Sequence, residues 1–248
     1  MSDFPWYVWA IALVGIVGIP AAACMLLYRG AVQQGAGRRR SALLAGTAAV
    51  LLAGGLVASA ALAAAGLYGG RTAGQPPWLA VAFVLAFGGL LAATRIPLVA
   101  RALEAPGMTS SLILVNALRV AGLAFVLAMF LGQVPALFAL PAGLGDIAVG
   151  VAAPFIAARV AKGQSYRGAM WLEALGILDL VVALTLGALT GFQVVDVTPV
   201  NHAIAQLPLA LIPTFTVPLI LAIHIVSTRQ LYKSRPRVKA STASALPA

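Results

Sequence analysis

Apolar runs of about 20 residues recur from one end of this chain to the other, and they restrict what it can fold into. A hydrocarbon layer is ~30 Å thick, and a helix rising about 1.5 Å per residue crosses it in a run of that length. Seven such runs are read, at about 6–28, 42–67, 78–96, 110–131, 138–160, 168–190 and 208–229. They are continuous, whereas the strands of a membrane β-barrel alternate apolar and polar positions, so a barrel is excluded. Composition agrees: 62% of residues are hydrophobic and 9% charged, where a soluble domain carries roughly 25% charged residues. The expected fold class is an all-α integral membrane protein. A single seven-helix transmembrane domain fills residues 1–232, and a basic tail at 233–248 is expected to be disordered. The connections are short, so neighbouring helices should be antiparallel and adjacent.

The net charge of +10 raises the question of nucleic acid, and its placement answers it. Fourteen basic residues lie on alternate connections and the C-terminal tail, in "RGAVQQGAGRRR", around Arg95 and Arg101, in "ARVAKGQSYR" and after Thr228. The opposite set of connections carries only Arg71. Such asymmetry is a topology signal and an attraction for anionic headgroups; no nucleic-acid partner is expected. It places the N-terminus outside and the C-terminus in the cytoplasm. Aromatic residues give the same answer, with Trp6, Tyr7, Trp9, Tyr68, Trp78, Phe138 and Phe192 at outer boundaries and Tyr28, Tyr166, Trp171 and Tyr232 at inner ones. The expected location is a cell membrane, and the abundance of Ala, Gly and Arg points to a bacterial cytoplasmic membrane.

Ionisable residues inside the spans are the candidates for function. An Asp at mid-membrane costs about 2.5–3.5 kcal/mol on the insertion scale, and each Leu, Ile or Val returns roughly 0.3–0.6 kcal/mol. Two charged acids in "WLEALGILDLVV", Glu173 and Asp179, would therefore nearly cancel the gain of their own span. Arg119 with Asn116 in the fourth span, Asp146 in the fifth and Asp179 in the sixth fall at similar depth. Each shares a helical stripe with glycines or alanines, which allow close helix approach, so all should face the bundle interior. Glu173 and Asp179 are about 120° apart on their helix and cannot form one dyad. Glu173 instead matches the depth of His224 near the cytoplasmic side, where it should partly reach water. Two layers result: Arg119 with Asp146 and Asp179, and below them Glu173 with His224.

The seventh span contains Pro208, Pro213 and Pro218. Pro208 can start a helix, but the other two remove backbone donors within the membrane. Two outcomes follow: a broken helix whose freed carbonyls bind ions beside Thr214 and Thr216, or a kink healed by neighbours and those hydroxyls.

Several chemistries can be set aside. His202 falls in an outer connection and His224 near the opposite side, so they cannot hold one haem between them. Lys162, Lys233 and Lys239 all fall in cytoplasmic segments, which leaves no lysine for a retinal Schiff base. Asp196 and His202 supply two metal ligands where three or four are needed. The single Cys24 permits no intrachain disulfide. No cofactor is expected; the partners are membrane lipids and a small molecule or ion. The leading expectation is a proton- or ion-coupled transporter built on Arg119, Asp146 and Asp179, with Glu173 and His224 as a proton relay. The alternatives are an accessory subunit or sensor with a purely structural polar layer, and an integral-membrane enzyme acting on a lipid or isoprenoid.

Overall fold

A computed structural model describes residues 4–69 and 76–234. The C-terminal tail beyond Ser234 and Arg71 lie outside the described residues. The described chain is helical, with no strand in it. Six helical stretches are long and apolar enough to cross a membrane: α1 (Trp6–Gln33), α2 (Arg38–Ala64), Met108–Phe130, α7 (Ala136–Ala161), α8 (Tyr166–Gly191) and Ile212–Ser234.

Between α2 and Met108 the chain differs from the expected unbroken span at 78–96. Helix α3 (Trp78–Ala93) ends early, and α4 (Pro97–Leu103) leaves it at 82°. Proline disfavours helical geometry in the residue before it, and Ile96 is accordingly extended at φ −64°, ψ 125°. Pro97 then opens α4, where its missing N–H would have had no partner anyway. The hydroxyl of Thr94 donates to the Leu91 carbonyl at 2.7 Å, closing the end of α3.

The stretch Met108–Phe130 is not one uniform helix. It runs as α5 (Met108–Val115), a 3₁₀ segment Asn116–Gly122 and α6 (Leu123–Phe130). Seven residues is long for 3₁₀ winding, which is usually confined to 3–4. Asn116 sits at the change of winding, its side-chain amide donating to the carbonyls of Leu112 and Ile113 at 3.4 and 3.3 Å. At three residues per turn, Asn116, Arg119 and Gly122 eclipse one another on a single face.

The last span begins later than expected. Pro208 lies in a turn, a π-helical turn Ile212–Thr216 follows, and α9 (Val217–Ser234) completes the span. The prolines are absorbed by wide winding rather than by a break. Thr214 and Thr216 donate through their hydroxyls to the carbonyls of Ala210 and Leu211 at 2.6 and 3.4 Å. Those carbonyls have partners inside the protein, so the picture of an open, ion-coordinating break gives way to the healed kink.

In α2, side-chain burial runs opposite to that of a helix facing water. In α2 the buried residues are Ser41, Ser59 and Ala63, while Val50 and Leu51 are 72% and 70% exposed. Polar and small groups face the protein and branched aliphatics face outward, as expected where the surroundings are themselves apolar. Ser59 shows why: its hydroxyl lies 2.6 Å from Thr214 Oγ1 and 3.1 Å from the Tyr68 hydroxyl, tying α2 to the π turn. Ser59→Ala is expected to cost about 1 kcal/mol in denaturant unfolding of the lipid-embedded protein. An unchanged midpoint would mean that this hydroxyl chain does not hold α2.

Tertiary contacts gather α1, the 3₁₀ segment, α7, α8 and α9 into a centre, with α2 packed on α1 and α3 on α9 and the π turn. The turn after α4 meets the end of α9: Gln230 donates to the Leu103 carbonyl at 2.6 Å, and Lys233 pairs with Glu104 at 2.6 Å.

Candidate functional site

Arg119 is 2% exposed at the centre of the bundle. Its Nε donates to Asp146 Oδ1 of α7 at 2.7 Å, and its Nη2 donates to Asp179 Oδ2 of α8. Nη1 faces the Gly176 carbonyl at 3.4 Å and His224 Nε2 of α9 at 3.1 Å. Every guanidinium nitrogen is thereby engaged, by groups from three helices. Small residues make the room. A Cβ on Gly176 would lie 2.5 Å from His224 Cε1 and 3.0 Å from Arg119 Nη1, and one on Gly145 would collide with the Asp179 carboxylate. A Cβ on Gly122 would likewise collide with Asp146.

The network continues. His224 Nδ1 is 2.5 Å from Glu173 Oε2, and Ser227 Oγ donates to Glu173 Oε1 at 2.7 Å. Hydrogen-bond chemistry fixes the tautomer. Arginine has donors only, so His224 Nε2, facing Nη1, must present its lone pair. The imidazole proton then sits on Nδ1 and points at Glu173, which accepts from both His224 and Ser227. The imidazole in this arrangement is neutral. One guanidinium therefore serves three carboxylates.

Two expectations are corrected here. The separate layers do not exist, because Arg119 touches His224 directly and the five ionisable groups form one array. Glu173 does not reach water either: it is 1% exposed, whereas the Asp146 and Asp179 side chains retain 15% and 12%. The reason is direction. Glu173 lies two turns inside α8 and points across to His224 and Ser227 on the most enclosed helix of the bundle.

Of the other residues singled out, Asn116 bonds its own helix and Thr214 belongs to the Ser59–Tyr68 chain, so neither hydrogen-bonds to the array. Ser227 was missed. It lies three residues after His224, on the same helical face, and that spacing is the signal that would have found it. Gly145 was missed too, since nothing local distinguishes it from the other glycines of its span. Asp196 and His202 are exposed, and no cluster of three or more metal-ligating side chains occurs among the described residues.

Two cavities lie in the bundle, and one of them reaches the array. One of about 430 Å³ has a lining that runs from Phe192, Asn201 and His202, ahead of the last span, to Asp146 in the middle of α7. The second, of about 570 Å³, lies between α1, α2, α3 and α9, is lined almost wholly by aliphatic residues, and includes Ser59, Tyr68 and Thr214.

An all-helical chain with six helices of membrane-crossing length and apolar character, wrapped around a buried charged array, is compatible with a multi-pass membrane protein. The chain belongs to the family described as a domain of unknown function, DUF8737, whose model matches residues 76–232. That interval holds the whole array from Arg119 to Ser227, and leaves α1 and α2 outside it. No curated protein and no solved structure matches the chain.

Proposed function

We propose that this protein is a small seven-span carrier of a bacterial cytoplasmic membrane, its N-terminus outside, that exchanges a proton or cation at Asp146 and Asp179. The observation that carries this reading is the shortage of positive charge: the array holds three carboxylates and one guanidinium, which pairs directly with Asp146 and Asp179 only, and Asp146 lines a cavity. With all three ionised the array has a charge of −2. A buried site tolerates that imbalance poorly, so it takes up protons or cations. Arg119 holds one acid ionised, while the other exchanges its proton. His224 and Glu173 extend the path from Arg119 to Ser227, away from the cavity.

In this topology α3 with the elbow at Pro97 forms the third span. Support comes from residues assigned to one side meeting each other: Lys233 with Glu104 at one end, and Tyr68, Trp78 and His202 around one cavity at the other. Single cysteines in a Cys24→Ser background check it. Gln193→Cys should react with an impermeant thiol reagent from outside, and Gln34→Cys only after permeabilisation.

Flux is the direct test. Wild-type protein in vesicles carrying an internal pH dye should move protons down a gradient, and Asp146→Asn and Asp179→Asn should each lower the rate at least about tenfold. Unchanged flux in both variants would overturn the coupling role.

The competing reading is a membrane accessory subunit whose array only fixes helix order. The full engagement of Arg119 favours it, since a structural ion network would look the same. Stability and flux of the charge-neutralised variants separate the two.

A further inference from the structure

We infer that the cavity ending at Asp146 binds a lipophilic organic monocation, an inference that rests on the exchange reading and names its substrate class. Sign, size and wall chemistry each contribute.

The sign follows from which groups are free. Arg119 has no exposed side-chain surface, and its three nitrogens are all occupied by Asp146, Asp179, Gly176 and His224. An anion could reach it only by dismantling the array. Asp146, by contrast, lines the cavity and keeps part of its surface open. The excess charge there is negative, so the complementary ligand is a cation.

The size and walls exclude a bare metal ion. About 430 Å³ falls in the range of small-molecule sites, roughly 300–1,000 Å³. A hard cation would need several oxygen ligands, but the lining offers mainly Leu, Ala and aromatic side chains, with Trp78, Phe83, Phe125 and Phe138 among them. Apolar and aromatic walls around one carboxylate suit an alkylated or aryl ammonium group, whose charge aromatic faces also attract. The end of the cavity away from Asp146 has a polar residue in its wall. Asn201 is 1% exposed and lines the same cavity; its Nδ2 donates to Thr190 Oγ1 at 2.9 Å, while its Oδ1 has no hydrogen-bond partner among the described residues. Cation and proton then compete for the same carboxylate.

The groups that bear on this competition are Arg119 and Asp179, His224 and Glu173 behind Arg119, and His202 in the cavity lining. A His202→Asn background removes the last of these from the readout. In that background, in nanodiscs of zwitterionic lipid, calorimetric titration should show binding of benzylammonium and benzyltrimethylammonium but not of benzenesulfonate. Affinity should weaken on acidification, approaching about tenfold per pH unit where one proton is displaced. Asp146→Asn should weaken binding at least tenfold. In case that variant fails to fold, Ala188→Trp fills the cavity from an exposed lining position and should abolish binding without lowering the unfolding midpoint. Equal binding of the sulfonate, no binding of either cation, or full binding to the Ala188→Trp protein would overturn the inference. Cation binding without proton flux would overturn the carrier reading and leave this one standing. Proton flux without cation binding would do the reverse.

Discussion

Replacing Arg119 by methionine is expected to lower the stability of the lipid-embedded protein by about 3–5 kcal/mol, the usual consequence of removing one partner from a buried ion pair. The side chain is 2% exposed and its donors hold Asp146, Asp179, Gly176 and His224 together. Without it, the Asp146 and Asp179 carboxylates are left with no cation between them. The informative comparison is the triple variant Arg119→Met, Asp146→Asn, Asp179→Asn. Apolar or neutral replacements of a whole buried ion network are often neutral in stability, so most of the loss should return. Equilibrium unfolding in lipid measures both. If the triple variant also regains flux, the array is a structural fastening and the exchange role of Asp146 and Asp179 falls. If it is stable yet inert, the charges serve transport.

His224→Leu is the second large effect, on the order of 3 kcal/mol. Among the described residues the imidazole alone links Arg119 to Glu173, accepting from one through Nε2 and donating to the other through Nδ1. A leucine leaves Glu173 buried with Ser227 alone and strips an acceptor from Nη1. Adding Glu173→Met removes the stranded acid, and the double variant should recover much of the loss because both partners are then apolar. Its proton flux should stay at least about a hundredfold below wild type if the pair relays protons. Flux near the wild-type rate in the double variant would remove His224 and Glu173 from the path.

The inward charges were legible in the sequence because the membrane makes them expensive. Arg119, Asp146 and Asp179 stand out against their own spans, and small neighbours such as Gly122 and Gly176 show which way they face. The connection to His224 was not legible, for a geometric reason. Depth was counted at about 1.5 Å per residue, but the seven residues from Asn116 to Gly122 wind as a 3₁₀ helix, rising about 2.0 Å each. That segment is longer by roughly 3.5 Å than the count allows. The last span also enters about four residues late, after the turn at Pro208, so its residues sit at other depths than assumed. The two errors together separated groups that touch. The bend before Pro97 is readable from proline chemistry alone.

Arg119's single guanidinium also has a meaning in chain order. It belongs to an earlier helix than every other member of the array: Asp146 follows, then Glu173 and Asp179, and finally His224. During synthesis the cation thus enters first and waits for its acids. Glu173 then waits in turn for the C-terminal helix, which brings both His224 and Ser227. An unfinished chain holds buried charges without partners, and only the last helix closes the array.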